Sequence, residues 1–231
     1  MSSKKKLTKR IAIIIDDFGN FYNNKVRRFF DISAPITLAI LPQLPFSRSI
    51  ALDAIEKNFE IMLHFPMEAF PDDYKENKTG PGAILESMSE EKIREILEEN
   101  LISVPNVKGV NNHMGSKITS NENIMRIFLN MLKEKKLYFI DSLVTSESVS
   151  KKIGKKVGIK INTRDIFLDN IDEPQYIKEQ INKLVNIALT HGSAIGIGHV
   201  EKKHTASVIT EMLPYIKSKN IEIVPASEIT E

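Results

Sequence analysis

The chain of 231 residues contains no cysteine. That excludes a disulfide framework, a thiolate nucleophile and a thiolate metal site, so any metal has to be held by histidine and carboxylates. An excess of charge is equally absent. The 32 Lys and Arg face 30 Asp and Glu, a net charge of +2, which supplies no global field to draw in nucleic acid or an anionic membrane. No nucleic-acid partner is expected. Long apolar runs are missing as well. Ile11 to Ile15 follows the basic residues Lys4, Lys5, Lys6, Lys9 and Arg10 but stops at Asp16 and Asp17, far short of an export segment or a membrane span. Residues 1–10 are therefore expected to form a basic, solvated tail, and no membrane span is expected. A glycine-rich phosphate loop and an obvious basic clamp are also wanting, which disfavours phosphoester chemistry.

What is present is the composition of a folded protein, 42% hydrophobic and 27% charged, long enough for one large core. Short β-type runs alternate with stretches of helical period, the pattern of βα units around a largely parallel sheet. Eight strands are predicted: Ile11 to Ile15, Ile36 to Ile40, Glu60 to His64, Lys108 to Asn112, Leu137 to Asp141, Val157 to Ile161, Ser193 to His199 and Ile221 to Val224. Helix starts are read at Ser47, at Ser87 with Glu90 as a capping box, at Ser120 and at Asp172, each offering an oxygen to unpaired backbone N–H groups. Ile93, Ile96, Leu97 and Leu101 mark one apolar helix face. The connection from Phe65 to about Glu86, with Pro66, Pro71, Gly80, Pro81 and Gly82, is long enough to be a lid or a groove wall. With no linker in view, residues 11–231 are expected to form one domain.

Polar residues gather at the predicted strand ends: Asp16 and Asp17 on the first, His64 on the third, Asn111, Asn112 and His113 on the fourth, Asp141 on the fifth and His199 on the seventh. In closed βα barrels those ends meet on one face, where active sites are built. Two adjacent carboxylates raise one another's proton affinity, suiting one to a metal and the other to proton transfer; a turn or cap explains the pair equally well. His64 is a metal-ligand candidate or a structural strand-end histidine, and Glu68 a further ligand or a substrate contact. The segment Asn111-Asn112-His113-Met114-Gly115-Ser116 offers hydrogen-bonding side chains, Asn112 and Ser116 among them, that could contact substrate. His199 has the ordinary pKa of a general acid, with Asp141 to orient it or to hold a substrate hydroxyl. His191 is placed at a helix end, and His204 at an exposed helix start.

The segments Ile14-Ile15-Asp16-Asp17-Phe18-Gly19, Thr37-Leu38-Ala39-Ile40-Leu41-Pro42, Leu63-His64-Phe65-Pro66-Met67-Glu68, Asn111 to Ser116, Phe139-Ile140-Asp141-Ser142 and Gly196-Ile197-Gly198-His199 together resemble the divergent polysaccharide deacetylase (YibQ-like) family. That family is a remote branch of the NodB-homology carbohydrate deacetylases. The resemblance runs from about residue 11 to Glu228 and implies a distorted (β/α) barrel of seven to eight mostly parallel strands. It implies that Asp16 is the base, that Asp17, His64 and His113 hold a divalent metal, most commonly zinc, and that His199 is the general acid. Typical relatives take both histidines from one His-x-x-x-His segment; here Glu68 stands at the second position, so His113 completes the set from another strand. The implied activity is metal-assisted removal of acetyl groups from a carbohydrate substrate or envelope glycan, in an extracytoplasmic or, alternatively, cytoplasmic setting. A non-catalytic carbohydrate or cell-envelope binding module, or a hydrolase of another ester or amide bond, are the competing readings.

Overall fold

A computed structural model describes residues 9–73 and 79–230. Its first strand, β1 (Lys9–Phe18), is an isoleucine-rich run in which Ile11 to Asp16 are buried without a break, as expected of a central strand covered on both faces. α1 (Asn24–Phe30), β2 (Thr37–Ile40), α2 (Ser47–Glu56), β3 (Glu60–Met67) and α3 (Glu90–Ser103) follow. The middle of the chain forms β4 (Gly109–Met114), the short α4 (Ser116–Thr119), α5 (Glu122–Glu134), β5 (Tyr138–Asp141) and α6 (Ser150–Val157). β6 (Ile161–Thr163), β7 (Ile166–Phe167), α7 (Pro174–His191), β8 (Ser193–His199), α8 (Thr205–Ser218) and β9 (Ile221–Ile223) complete it.

The strands run in the order β6-β5-β4-β3-β2-β1-β8-β7, every pairing parallel, with β9 added beside the first residues of β1. β6 and β7 stand at the two ends of this order yet are separated by only Arg164 and Asp165 in the chain. The sheet therefore curls until its edges approach, a distorted (β/α) barrel broken between those two strands. Side-chain parity divides the core. Ile11, Ile13 and Ile15 belong to the large cluster under the helices. Ala12 and Ile14 join Ala39, Met62, Ile140, Ile195 and Ile197 in a smaller interior cluster, as the period of two in a strand requires. The segment after β9 plugs the N-terminal end of the barrel with Val224, Ala226 and Ile229. Ala226 N donates to Thr37 Oγ1 (3.0 Å) and Ser227 N to Glu60 Oε1 (3.1 Å).

Several local expectations are corrected. β1 already includes Lys9 and Arg10, so the strand starts inside the stretch read as a tail; residues 1–8 lie outside the described residues. Val157 to Ile161 is not a strand. α6 runs to Val157, Gly158 ends it in the left-handed conformation (φ 75), and the strand begins at Ile161. Ser89, not Ser87, caps α3 by accepting from Lys92 N, and Asn121, not Ser120, caps α5. α7 opens with Glu173 and Pro174 without a side-chain cap, while Asp172 accepts from Lys203 N and His204 N. His204 is half-buried against Asp172 rather than exposed. The long connection is tied at its base, where Glu68 N donates to Ile84 O and Ile84 N to Pro66 O; its residues 74–78 lie outside the described residues. Among the described residues no helix is long and apolar enough to cross a membrane.

Candidate metal centre and active-site cleft

The interior parity of each strand decides what reaches the rim. On β1, residues 12 and 14 point inward, and Asp16 continues the series. In a regular strand Asp17 would face the other way. Instead the register shifts between Ile15 and Phe18 and Asp17 takes a φ of 68, a bulge that turns both carboxylates to one side. Met62 points inward on β3, so His64 does too; Val110 faces the helices on β4, so Asn111 and His113 face the interior. Ile195 and Ile197 carry the same parity to His199 on β8. The sharp turn after His113 is made by Met114 (φ 56) and Gly115 (φ 90), where a Cβ on residue 115 would stand 2.7 Å from Met67 Cβ.

Three side chains converge at this rim. His64 Nε2 lies 3.0 Å from His113 Nδ1, and Asp17 Oδ1 lies 3.2 Å from each. Asn111 fixes the state of His64. Its Nδ2 donates to Asp16 Oδ1 (2.8 Å), so its Oδ1 faces His64 Nδ1 (2.9 Å) and calls for a proton there. The neutral ring then turns the bare Nε2 toward a carboxylate oxygen and a second imidazole. Asp17 Oδ1 is buried without a hydrogen bond, and an unpaired buried acceptor of this kind is costly. A cation relieves both conflicts. An ion bonded at about 2.0–2.2 Å to three ligands holds them roughly 3.0–3.5 Å apart, and these atoms already meet that condition. Asp17, His64 and His113 are thus a possible metal site in the residues themselves.

Electrostatics separates the two carboxylates. Burial raises the pKa of Asp16 and prevails over the lowering by His64 and His199. Burial acts on Asp17 in the same sense, but the two imidazoles outweigh it and hold its carboxyl well below the usual range. Burial opposes protonation of His64, and Asp16 and Asp17 overcome it to raise that ring's proton affinity. His199 behaves alike. Against burial, the bond to Asp169 and the nearby Asp16 and Asp17 push it up to about 9. Asp169 is fully buried; its Oδ1 meets His199 Nδ1 at 2.7 Å, and its Oδ2 accepts from His199 N (2.7 Å) and Thr205 Oγ1 (2.6 Å). Phe167 lies beside the His199 ring at 5.6 Å, and the Arg164 guanidinium lies over the Phe167 ring at 3.7 Å.

These residues line a cleft of about 300 Å³ together with Asn112, Ser142, Asn170, Glu201 and Lys202. Asp141 is not in it. Its parity follows Phe139, toward the helices, and it accepts from Leu143 N and Ser148 Oγ; the group that orients His199 is Asp169. Asn112 borders the cleft, but its amide is engaged with Ser142 N and Met114 O. Glu68 receives Lys117 Nζ (2.8 Å) and Glu86 N (2.7 Å), and Ser116 Oγ receives Phe70 N (3.0 Å). Both brace the long loop and neither lines the cleft. The reading from sequence left Asn111 without a role and missed Asp169, although Asp169 follows the apolar triad Ile166-Phe167-Leu168 as the other site residues follow theirs.

With fold and site in view, comparison with known proteins assigns the lineage. A profile described as divergent polysaccharide deacetylase matches residues 13–230. The chain belongs to the divergent polysaccharide deacetylase family. It is 32% identical over 224 residues to the uncharacterized protein YibQ of Escherichia coli K12, covering 96% of this chain and 68% of YibQ. Among solved structures it resembles the uncharacterized protein ATU2773 of Agrobacterium tumefaciens C58, with a TM-score of 0.90 and 22% identity, covering 97% of this chain and 90% of that one. It also shares a fold with a mutant of BA3943 from Bacillus anthracis, a CE4 family pseudoenzyme with restored enzymatic activity, with a TM-score of 0.60 and 13% identity over 96% of this chain and 67% of that one.

Proposed function

We propose that this protein is a metal-dependent hydrolase that removes acetyl groups from a polysaccharide or oligosaccharide, with Asp17, His64 and His113 as the metal ligands. The observation that carries the reading is the meeting of two imidazole nitrogens and one buried carboxylate oxygen without a hydrogen bond, the three atoms 3.0–3.2 Å apart. Two imidazoles and one carboxylate are a donor set that suits zinc. When bound, such a cation polarises an acyl carbonyl and lowers the pKa of bound water.

The chain's own groups divide the proton work. Asp16, held by Asn111 and 3.7 Å from His64 Nε2, accepts the proton of the attacking water on a carboxylate whose proton affinity is raised by burial. His199 has its Nδ1 fixed on Asp169, so Nε2 is the atom that delivers a proton to the departing amine or alkoxide. A ring raised to about 9 is protonated at neutral pH and ready to donate. The cleft beside them is open enough for a sugar unit, and Lys202, Glu201 and Asn170 on its border supply polar partners for hydroxyls. Carbohydrate is the substrate class because the family is one of polysaccharide deacetylases.

The test is acetate release from acetylated chitooligosaccharides and peptidoglycan fragments by zinc-loaded protein. Asp16→Asn is expected to keep its metal and lose about 10²–10⁴-fold in rate. A full complement of metal with no acetate released from any acetylated glycan would contradict the deacetylase reading in favour of a binding module.

A further inference from the structure

The opposite end of the barrel carries a second concentration of charge that the cleft does not use. Lys108 and Lys160 stand immediately before β4 and β6, and Lys136 two residues before β5, the strand between them. Parallel pairing therefore brings all three to one edge. With Lys133 from the end of α5 they line a cavity of about 360 Å³, floored by Leu137 and Ile159. A neighbouring depression of about 480 Å³ shares Gly158, Ile159 and Lys160 and adds Lys151 and Lys155 from α6. Across residues 126–160 there are nine Lys and Arg against three Asp and Glu, a surplus of six, in a chain whose total is +2; the remainder is net negative by four. The field is local, and the overall balance hides it.

Within that stretch Lys135 pairs with Glu98 and Lys152 with Glu122, but the lysines that line the cavity carry no counter-charge. Lys108 donates only to Asn106 Oδ1 and Lys133 only to Val157 O. None of the four cavity lysines forms an ion pair with a carboxylate among the described residues. Glu60, which accepts from the lining residues Tyr138 and Ser227, is also engaged by Thr37. Like charges gathered without counter-charge repel one another, and an anion removes that repulsion.

We propose that this end of the barrel binds a phosphate-bearing polyanion, a flexible polymer with regularly spaced phosphate groups. The site is independent of the hydrolase reading. Ammonium groups pair phosphate as point charges without the planar fork that arginine would impose, and no arginine lines either depression. A bilayer is disfavoured because none of the exposed large apolar side chains borders the cavity, and α6 turns Ile153 into the core; no apolar wedge is left for insertion. A single-stranded nucleic acid is disfavoured because the one ring in the lining, Tyr138, is only 4% exposed and cannot stack on bases. Lys108 immediately precedes β4 and His113 lies near its far end, roughly 17 Å apart at strand rise. A polymer held at one end thus leaves the metal cleft open at the other.

The experiment uses the full chain and inorganic polyphosphate as the probe, followed by calorimetry at several salt concentrations and by amide chemical shifts. The expected result is binding that weakens steeply with salt, with the largest shifts at residues 108, 136 and 160. The triple variant Lys108→Gln, Lys136→Gln, Lys160→Gln is expected to lose about a hundredfold in affinity and to flatten the salt slope by about two to three. Should that variant fail to fold, the wild-type shift map and the variant Lys151→Gln, Lys155→Gln decide the matter. Undiminished binding by a folded triple variant, or shifts that avoid this end, would overturn the proposal. So would stronger binding to phosphatidylglycerol–phosphatidylcholine vesicles or to a DNA duplex than to polyphosphate.

Discussion

The two ends of the same strands are built on opposite electrostatic plans. At the C-terminal rim, β1, β3, β4 and β8 bring Asp16, Asp17, His64, His113 and His199 together, and Asp169 stands behind His199. Among the described residues, the buried side-chain oxygen left without a hydrogen bond is Asp17 Oδ1, and it lies 3.2 Å from each of two imidazoles. At the N-terminal end, Glu60 gathers Thr37, Tyr138 and Ser227 into a hydrogen-bonded floor, and the lysines lining the cavity beside it form no ion pair among the described residues. The difference teaches what a buried network is for. The rim network pre-orders ligand and proton-carrying atoms around an unmet need for positive charge, whereas the floor network closes a core and leaves nothing unmet.

Among variants that spare Asp16 and the metal ligands, one that breaks the rim network behind His199 should have the largest effect. Asp169→Asn is expected to reduce acetate release by about a hundredfold and to return the His199 ring from about 9 toward its ordinary value. Proton-detected titration of the ring in metal-free protein checks this. The sign of the linkage is fixed by that raised pKa. The pair's contribution to stability is complete below the unfolded value, about 6.5. It is lost as pH rises through about 9. Wild-type protein should therefore lose its advantage over Asp169→Asn across that interval in denaturant titrations.

A smaller effect, on stability and not on rate, is expected at Asp141. Its carboxylate is buried outside the cleft against Leu143 N and Ser148 Oγ, so Asp141→Asn should cost about 1–3 kcal/mol in urea unfolding and leave the turnover of folded protein unchanged. A large loss of turnover at full folding would return Asp141 to the orienting role first read for it. The smallest effect belongs to the floor. Glu60→Gln keeps an acceptor for Tyr138 and Thr37 and is expected to cost about 1 kcal/mol without altering metal content or rate.

Much of this arrangement was legible in the sequence because buried parallel strands are written as apolar runs, and the first polar residue after each run marks the rim. That rule located Asp16, His64, His199 and, on the fourth strand, Asn111, with His113 two residues further on. It failed where geometry departs from simple counting. Asp141 ends a run as the others do, yet its parity with Phe139 turns it outward. Asp17 should by parity have pointed away, and only the bulge brings it in. Asp169 was overlooked because β7 is two residues long, below what periodicity can detect. Asn111 was visible within its cluster, but its task of holding Asp16 and His64 at once exists only when residues 95 and 47 positions away in the chain meet it at the barrel rim. Cap positions slipped by one or two residues at Ser87, Ser120 and Asp172, since every one of those stretches holds several residues able to cap.

The most direct test of the account is calorimetric titration of metal-free protein with Zn²⁺, run in parallel on wild type and on His113→Ala. One ion per chain is expected for wild type, released as the ligands protonate at low pH, with no measurable binding by the variant. Wild-type protein that takes up no ion, or a His113→Ala variant that binds it equally well, would contradict the claim that Asp17, His64 and His113 form a single cation site.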